Sequence, residues 1–241
     1  MEIRVFETAR EASVAAAQVI TDVINAGKKT VLGLATGSTP VGMYQDLARR
    51  NRAGEVDFSN VYSYNLDEYI GLDGTHPQSY RYFMNKNLFD HINIDKAHTH
   101  VPCGSGADHE ADARTYDEAI RAEGGIDVQV LGIGNNGHIG FNEPDTVFHM
   151  GTHVVDLTAS TIDANKRFFL KREDVPTQAI TLGMGGIMGA KKIVMLCFGE
   201  GKAKAVRDMI LGEIDPGCQA SILKVHGDVI VFLDRAAASL L

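Results

Sequence analysis

The sequence predicts an α/β fold: a mostly parallel sheet with helices packed on both of its faces. Three observations carry this expectation. Several apolar runs of strand length are continuous rather than alternating, as in strands buried on both sides. Segments of helical periodicity separate them, and chains that alternate strand and helix build parallel sheets. The chain has 241 residues, 44% hydrophobic and 22% charged, enough for one large core that needs no disulfide or metal to hold it.

The elements follow in order. Glu2–Phe6 alternates as a short strand. Ala12, Ala16, Val19, Ile20 and Val23 recur at helical spacing, and Gly27 stops that helix. Thr30–Ala35 is an apolar strand, followed by a helix from about Pro40 to Arg50. Val61–Leu66 is the next strand, and Ser79–Asp90 and Gly106–Glu123 read as helices. Ile126–Ile133 is a buried strand, Gln178–Leu182 a short one and Lys192–Phe198 a strongly apolar one. Glu200–Leu211 is a helix, and Val229–Leu233 is the last strand. There is no repeat, linker or low-complexity tract, so a single domain over residues 1–241 is expected. Residues 144–177 are the least regular stretch and read either as a mobile lid or as an ordinary helical excursion.

Composition excludes several function classes. The net charge is −8, which argues against nucleic-acid and anionic-membrane partners. No apolar run approaches a membrane span, and the start, Met-Glu-Ile-Arg-Val-Phe-Glu, lacks the features of a signal peptide. Cys103, Cys197 and Cys218 are odd in number and form no spaced pair, which points to a reducing compartment and a cytoplasmic location. An anionic ligand on so acidic a chain has to be met by local cations.

The most informative stretch is residues 131–144, Leu-Gly-Ile-Gly-Asn-Asn-Gly-His-Ile-Gly-Phe-Asn-Glu-Pro. A buried strand breaks into a glycine-rich turn that delivers Asn136, His138 and Glu143 within eight residues. A histidine flanked by an amide and a carboxylate at a strand end suits proton transfer. A second turn, Gly33-Leu34-Ala35-Thr36-Gly37-Ser38-Thr39-Pro40, joins a strand to a helix. Pro40 suits the first helical position and Ser38 or Thr39 the N-cap; the loop serves either as a plain cap or as a phosphate site. It lacks the Gly-Lys-Ser/Thr ending of a Walker loop.

A third motif is Asn65-Leu66-Asp67-Glu68-Tyr69, where two acids close a strand. Successive strand residues face opposite ways, so Asp67 and Glu68 should not enter one site together. A single buried carboxylate with a raised pKa would suit proton abstraction; the alternative is that both acids are solvated or cap a helix. Lys202, at a strand-to-helix turn, and Arg167, in Ala164-Asn165-Lys166-Arg167-Phe168-Phe169, are candidate phosphate clamps. His98, His100, Cys103 and His109 lack metal-ligand spacing, and no metal is expected. In parallel sheets ligands sit beyond the carboxyl ends of the strands, where Thr36–Thr39, Asp67, His138 and Lys202 all fall.

Taken together, Ala35–Pro40, Asn65–Tyr69, Gly132–Pro144 and Ser221 with Leu223 resemble the glucosamine-6-phosphate deaminase family, over about residues 2–235. The resemblance implies a doubly wound, Rossmann-like fold. It implies conversion of D-glucosamine 6-phosphate and water to D-fructose 6-phosphate and ammonia, as in N-acetylglucosamine catabolism, without a cofactor. By the resemblance, His138 is the ring-opening group, Asp67 the base at C2, and Glu143 and Asn136 the groups that orient and polarise His138. Thr36, Gly37, Ser38 and Thr39, with Arg167 and Lys202, correspond to the phosphate site, and Gly132 to a backbone contact with the ligand.

The sequence departs from the commoner pattern at two places. Position 136 is Asn where many relatives have Asp, and Asn136→Asp is expected to move the histidine limb of the pH profile upward. His153 and Val155 stand where relatives activated by N-acetylglucosamine 6-phosphate carry Arg and Lys, and the chain stops soon after Leu233. No activation is therefore expected, with a monomer or small homo-oligomer. Two alternatives remain open. A 6-phosphogluconolactonase shares such a turn but needs no base at C2. A sugar-phosphate-sensing regulator without turnover would add a DNA-binding helix pair, for which residues 1–30 leave no room.

Overall fold

The computed structural model describes residues 1–241, apart from the side chains of Ser160, Ala164 and Phe168. Two sheets organise it. The larger has seven strands: β1 (Glu2–Phe6), β2 (Thr30–Leu34), β3 (Val61–Asn65), β5 (Thr99–His100), β6 (Val128–Gly132), β9 (Lys192–Cys197) and β10 (Val229–Asp234), in the order β1-β10-β9-β6-β2-β3-β5. Its pairings are all parallel, including Leu32 beside Val128 and Val130 beside Val194. The smaller, antiparallel sheet joins β4 (Asp67–Tyr69), β7 (His153–Asp156) and β8 (Gln178–Thr181), with β8 in the middle.

Burial explains the parallel sheet. All five residues of β2 are buried, and side chains alternate between faces, so both faces are covered. The helices that cover the sheet include α1 (Ala9–Ala26), α2 (Val41–Arg52), α4 (His109–Ala122) and α7 (Ala203–Leu211). α1 starts on a reciprocal cap: the Thr8 hydroxyl accepts from Glu11 N and the Glu11 carboxylate from Thr8 N, both at 3.2 Å. It buries Ala12, Ala16, Ile20 and Ile24 at helical spacing. One large apolar cluster joins these residues to the sheet, and a small one (Tyr69, Phe141, Leu157, Ala179) lies with the antiparallel sheet.

Strand order reverses between β2 and β6, so the loops that leave their carboxyl ends diverge and open a crevice. The expected elements are present, with five differences. The helix expected over Glu200–Leu211 opens as a 3-10 turn, Glu200–Lys202, before α7. Gln178–Thr181 pairs in the small sheet and not in the parallel one. β4, β5 and β7 are strands that the sequence pattern does not signal. The third helix, α3 (Tyr80–Asn87), ends before a separate 3-10 turn at Phe89–His91. Pro40 itself takes the cap position of α2, and no side chain caps that helix, so Ser38 and Thr39 do not act as its N-cap. The least regular stretch contains β7, α5 (Ala159–Asn165) and two 3-10 turns, Lys166–Phe168 and Arg172–Asp174. A short α6 (Met184–Met188) follows β8.

Candidate active site

The crevice at the strand reversal is a cleft of ≈ 910 Å³, within the range of small-molecule sites. Residues Thr36–Thr39 after β2, Asp67 at the start of β4, Gly132 at the end of β6, Asn136 and His138 after it, Arg167 beyond α5 and Lys202 beyond β9 all line it. Of the residues assigned a catalytic or ligand-binding part from the sequence, only Glu143 is outside its wall, and it lies directly behind His138.

Backbone shape puts His138 in place. Gly137 has φ +87° and Gly140 φ +58°, values that L side chains rarely adopt. Gly134 N donates to His138 O at 2.9 Å and Gly137 N to Gly134 O at 3.0 Å, closing a tight turn. The imidazole lies flat against this turn: a Cβ on Gly134 would stand 2.3 Å from His138 Cε1. The turn is held from behind by Ala220 N donating to Gly137 O at 2.9 Å, while Ser221 Oγ closes its own loop on Asp215 N and O. Ser221 thus ties down the loop that carries Ala220 and does not itself touch the histidine turn.

A carboxylate backs the imidazole. His138 Nδ1 is buried, and its nearest charged neighbour is Glu143 Oε2 at 3.4 Å. Asn136 bridges the two residues: its Oδ1 accepts from His138 N at 3.2 Å and its Nδ2 donates to Glu143 Oε2 at 2.8 Å. Asn136 therefore orients His138 through the backbone and through Glu143. Burial works to raise the Glu143 pKa, but His138, Thr161 and Asn136 outweigh it and hold the carboxyl down to about 2. The carboxylate therefore stands as a fixed anion behind the imidazole ring.

The adjacent acids separate as strand alternation requires. Glu68 turns away from the cleft and accepts from Tyr69 N, Tyr80 N and Arg81 N at 2.8–3.0 Å, anchoring the start of α3. Asp67 faces the cleft and is 6% exposed. Burial, with a contribution from the Glu68 charge, raises its pKa to about 8. The histidine loop passes beside it: a Cβ on Gly140 would lie 3.6 Å from Asp67 Oδ2. Asp67 and His138 thus share one cavity.

Cations gather at the same cleft. Burial lowers the Lys202 pKa, and the nearby Arg167 guanidinium acts in the same direction. A dianion placed between them relieves both penalties. Gly37 has φ +89°, so the loop before α2 turns sharply enough to present its backbone and hydroxyls. The sequence does not single out Tyr80, Asn165, Phe169 or Thr161, which also line the cleft. The pattern Thr158-Ala159-Ser160-Thr161 carries a helix-cap signal that marks the start of α5, but nothing local aims it at Glu143. Among the described residues, no group of three His, Cys, Asp or Glu side chains is arranged to hold a metal, and His98, His100, Cys103 and His109 do not converge on one. Among the described residues, no helix is long and apolar enough to cross a membrane.

The family profile described as glucosamine-6-phosphate isomerases/6-phosphogluconolactonase matches residues 5–230. The chain belongs to this family. A glucosamine-6-phosphate deaminase from Clostridium perfringens (strain 13 / Type A) is 53% identical over 241 residues, all of both chains. One from Thermoanaerobacter sp. (strain X514) is 52% identical over all of this chain and 95% of its own. A solved monomeric glucosamine-6-phosphate deaminase superposes with a TM-score of 0.98 at 43% identity, over the full length of both chains. A 6-phosphogluconolactonase from Leishmania guyanensis has a TM-score of 0.79 at 22% identity over 98% of this chain and 97% of its own, a likeness of fold alone.

Proposed function

We propose that the protein is a glucosamine-6-phosphate deaminase, converting D-glucosamine 6-phosphate and water to D-fructose 6-phosphate and ammonia. The observation that carries this reading is that Asp67, a buried carboxyl with a pKa of about 8, and His138, an imidazole backed by an anion, open into one cleft that also holds two cations.

The chemistry needs both groups in sequence. The C2 proton is acidic only when C1 is an aldehyde, so the ring opens first. His138 takes the proton of the anomeric hydroxyl and delivers one to the ring oxygen as the C1–O5 bond breaks. Glu143 and Asn136 hold the imidazole for this step, and the Glu143 charge stabilises its cation. Asp67 then removes the C2 proton, giving an enolamine, and returns a proton to C1. The resulting C2 imine adds water and releases ammonia, leaving the ketose. A base with a pKa near 8 is strong enough for an activated C–H yet partly ionised at neutral pH. Thr36–Thr39, Arg167 and Lys202 take the phosphate, and Gly132 offers a backbone contact. Binding energy at the phosphate, remote from the reacting carbons, positions C1 and C2.

A lactone hydrolase has no use for a buried carboxyl at C2, and regulators of this kind need no such base. The protein acts alone or as a small homo-oligomer, a reading supported by the 43% identical monomeric deaminase. The α5 arm and its flanks serve as a lid over the phosphate. The test is direct: with D-glucosamine 6-phosphate, ammonia and fructose 6-phosphate form in equal amounts, whereas 6-phosphogluconolactone is not opened faster than in buffer. Lactone opening without ammonia release refutes the proposal.

A further inference from the structure

Glu143 is 8% exposed, and its two oxygens have different neighbours. Oε2 accepts from the Asn136 amide at 2.8 Å and faces His138 Nδ1 at 3.4 Å. Oε1 turns the other way and accepts a hydrogen bond from the Thr161 hydroxyl. Thr158 stands beside this bond: its Oγ1 is 3.1 Å from Thr161 Oγ1 and 3.4 Å from Glu143 Oε1, and it accepts from Thr161 N at 3.3 Å as the cap of α5. The Thr161 hydroxyl is thereby held with its hydrogen on the carboxylate.

Thr161 belongs to a different part of the chain from the histidine turn. It sits on the first turn of α5, and the same arm goes on to place Asn165, Arg167 and Phe169 in the cleft wall. Asn165 is four residues on, one helical turn along the same face. The arm therefore touches the ring-opening pair at one end and the phosphate region at the other. A carboxylate of this burial that loses a donor keeps the desolvation cost and is freer to rotate.

We propose that Thr161 is a positioning residue: it fixes Glu143 with Oε2 turned to His138, and it makes the arm that carries Arg167 one unit with the ring-opening pair. The inference rests on the deaminase reading of the cleft. Phosphate capture at Arg167 then holds α5 in place, and α5 holds the partner of the imidazole. The hydroxyl is what matters, so serine can replace threonine and valine, of nearly equal shape, cannot.

The experiment compares wild type, Thr161→Ser and Thr161→Val in two independent readouts. The first is the Glu143 carboxyl titration followed by carbon NMR, which needs no turnover. Losing a hydrogen bond to a charged group moves its midpoint up by about one to two pH units in Thr161→Val, with no comparable movement in Thr161→Ser. The second is turnover of D-glucosamine 6-phosphate, where kcat falls about 10- to 100-fold in Thr161→Val and stays within about threefold in Thr161→Ser. In a cycle with Arg167→Gln, the two losses in kcat/KM are less than multiplicative. An unmoved Glu143 midpoint, or a Thr161→Val variant that loses only thermal stability, overturns the positioning role. Strictly multiplicative losses overturn the tie to Arg167. If Thr161→Val does not fold, Thr161→Ala gives the same readouts. A wild type that titrates as described yet never releases ammonia refutes the deaminase reading and leaves the Glu143 contact standing.

Discussion

Replacing Asp67 by Asn should stabilise the fold, and increasingly so as the pH rises. Asn keeps the shape of the side chain but has no charge to desolvate. The Asp67 pKa is raised from 3.8 to about 8. A raised folded-state pKa means that the protonated form is the one the fold tolerates. Below pH 3.8, where the unfolded chain is protonated too, Asp67 imposes no ionisation penalty. Above that pH the unfolded state gives up the proton and the folded state does not, until about pH 8, where the penalty levels off. At 1.36 kcal/mol per pH unit, the full difference is about 6 kcal/mol, and the part that develops between about pH 5 and pH 9 is about 4 kcal/mol. Denaturant unfolding of wild type and Asp67→Asn at pH 5, 7 and 9 measures it directly. The gap in unfolding free energy, the variant being the more stable, should widen by about 4 kcal/mol across that range. Two curves that run parallel with pH refute the claim that Asp67 is buried at the cost of its charge.

Other expectations follow from the same geometry. Gly134→Ala places a methyl against the His138 ring and should lower kcat by at least about tenfold; Circular dichroism and Tm would show whether the fold survives, and an unimpaired enzyme would show that the ring does not depend on this close approach. On the proposed role of Asp67 as the base, kcat/KM should rise with pH through about 8, and this limb should vanish in a variant lacking the carboxyl. Lys202→Gln should reduce kcat/KM about 10- to 100-fold, chiefly through KM, and a similar loss with unphosphorylated glucosamine would place Lys202 away from the phosphate. Asn136→Asp replaces the amide that donates to Glu143 by a second carboxyl, so the Glu143 midpoint should climb from about 2 and the histidine limb of kcat/KM should move upward. With His153 and Val155 on β7, saturation with D-glucosamine 6-phosphate should be hyperbolic and unchanged by N-acetylglucosamine 6-phosphate; a sigmoidal curve relieved by that compound would contradict this.

Much of the architecture was legible because buried parallel strands write themselves as continuous apolar runs. Ile126–Ile133 and Lys192–Phe198 locate two neighbouring strands to within a residue or two. Asp67 and Glu68 were separable because strand alternation is a rule of covalent geometry. The small sheet was not legible. β4 has three residues, and its partner β8 lies more than a hundred positions along the chain, so no local period marks the pairing of Asp67 with Thr181. Pro40 and its neighbours carry a genuine helix-start signal, which places the loop but not its cap. The contact of Thr161 with Glu143 is a tertiary one, made when an arm of weak pattern folds back on the histidine turn.

The central claim is that Asp67 moves the C2 proton of a sugar that His138 has opened. D-Glucosamine 6-phosphate carrying deuterium at C2 tests it most directly, with wild type and Asp67→Asn compared for ammonia release and for label at C1 of the fructose 6-phosphate. Wild type should turn the labelled sugar over more slowly than the unlabelled one and deliver part of the deuterium to C1. Asp67→Asn should lose at least about a thousandfold in rate. An Asp67→Asn enzyme that releases ammonia within tenfold of wild type would contradict the account.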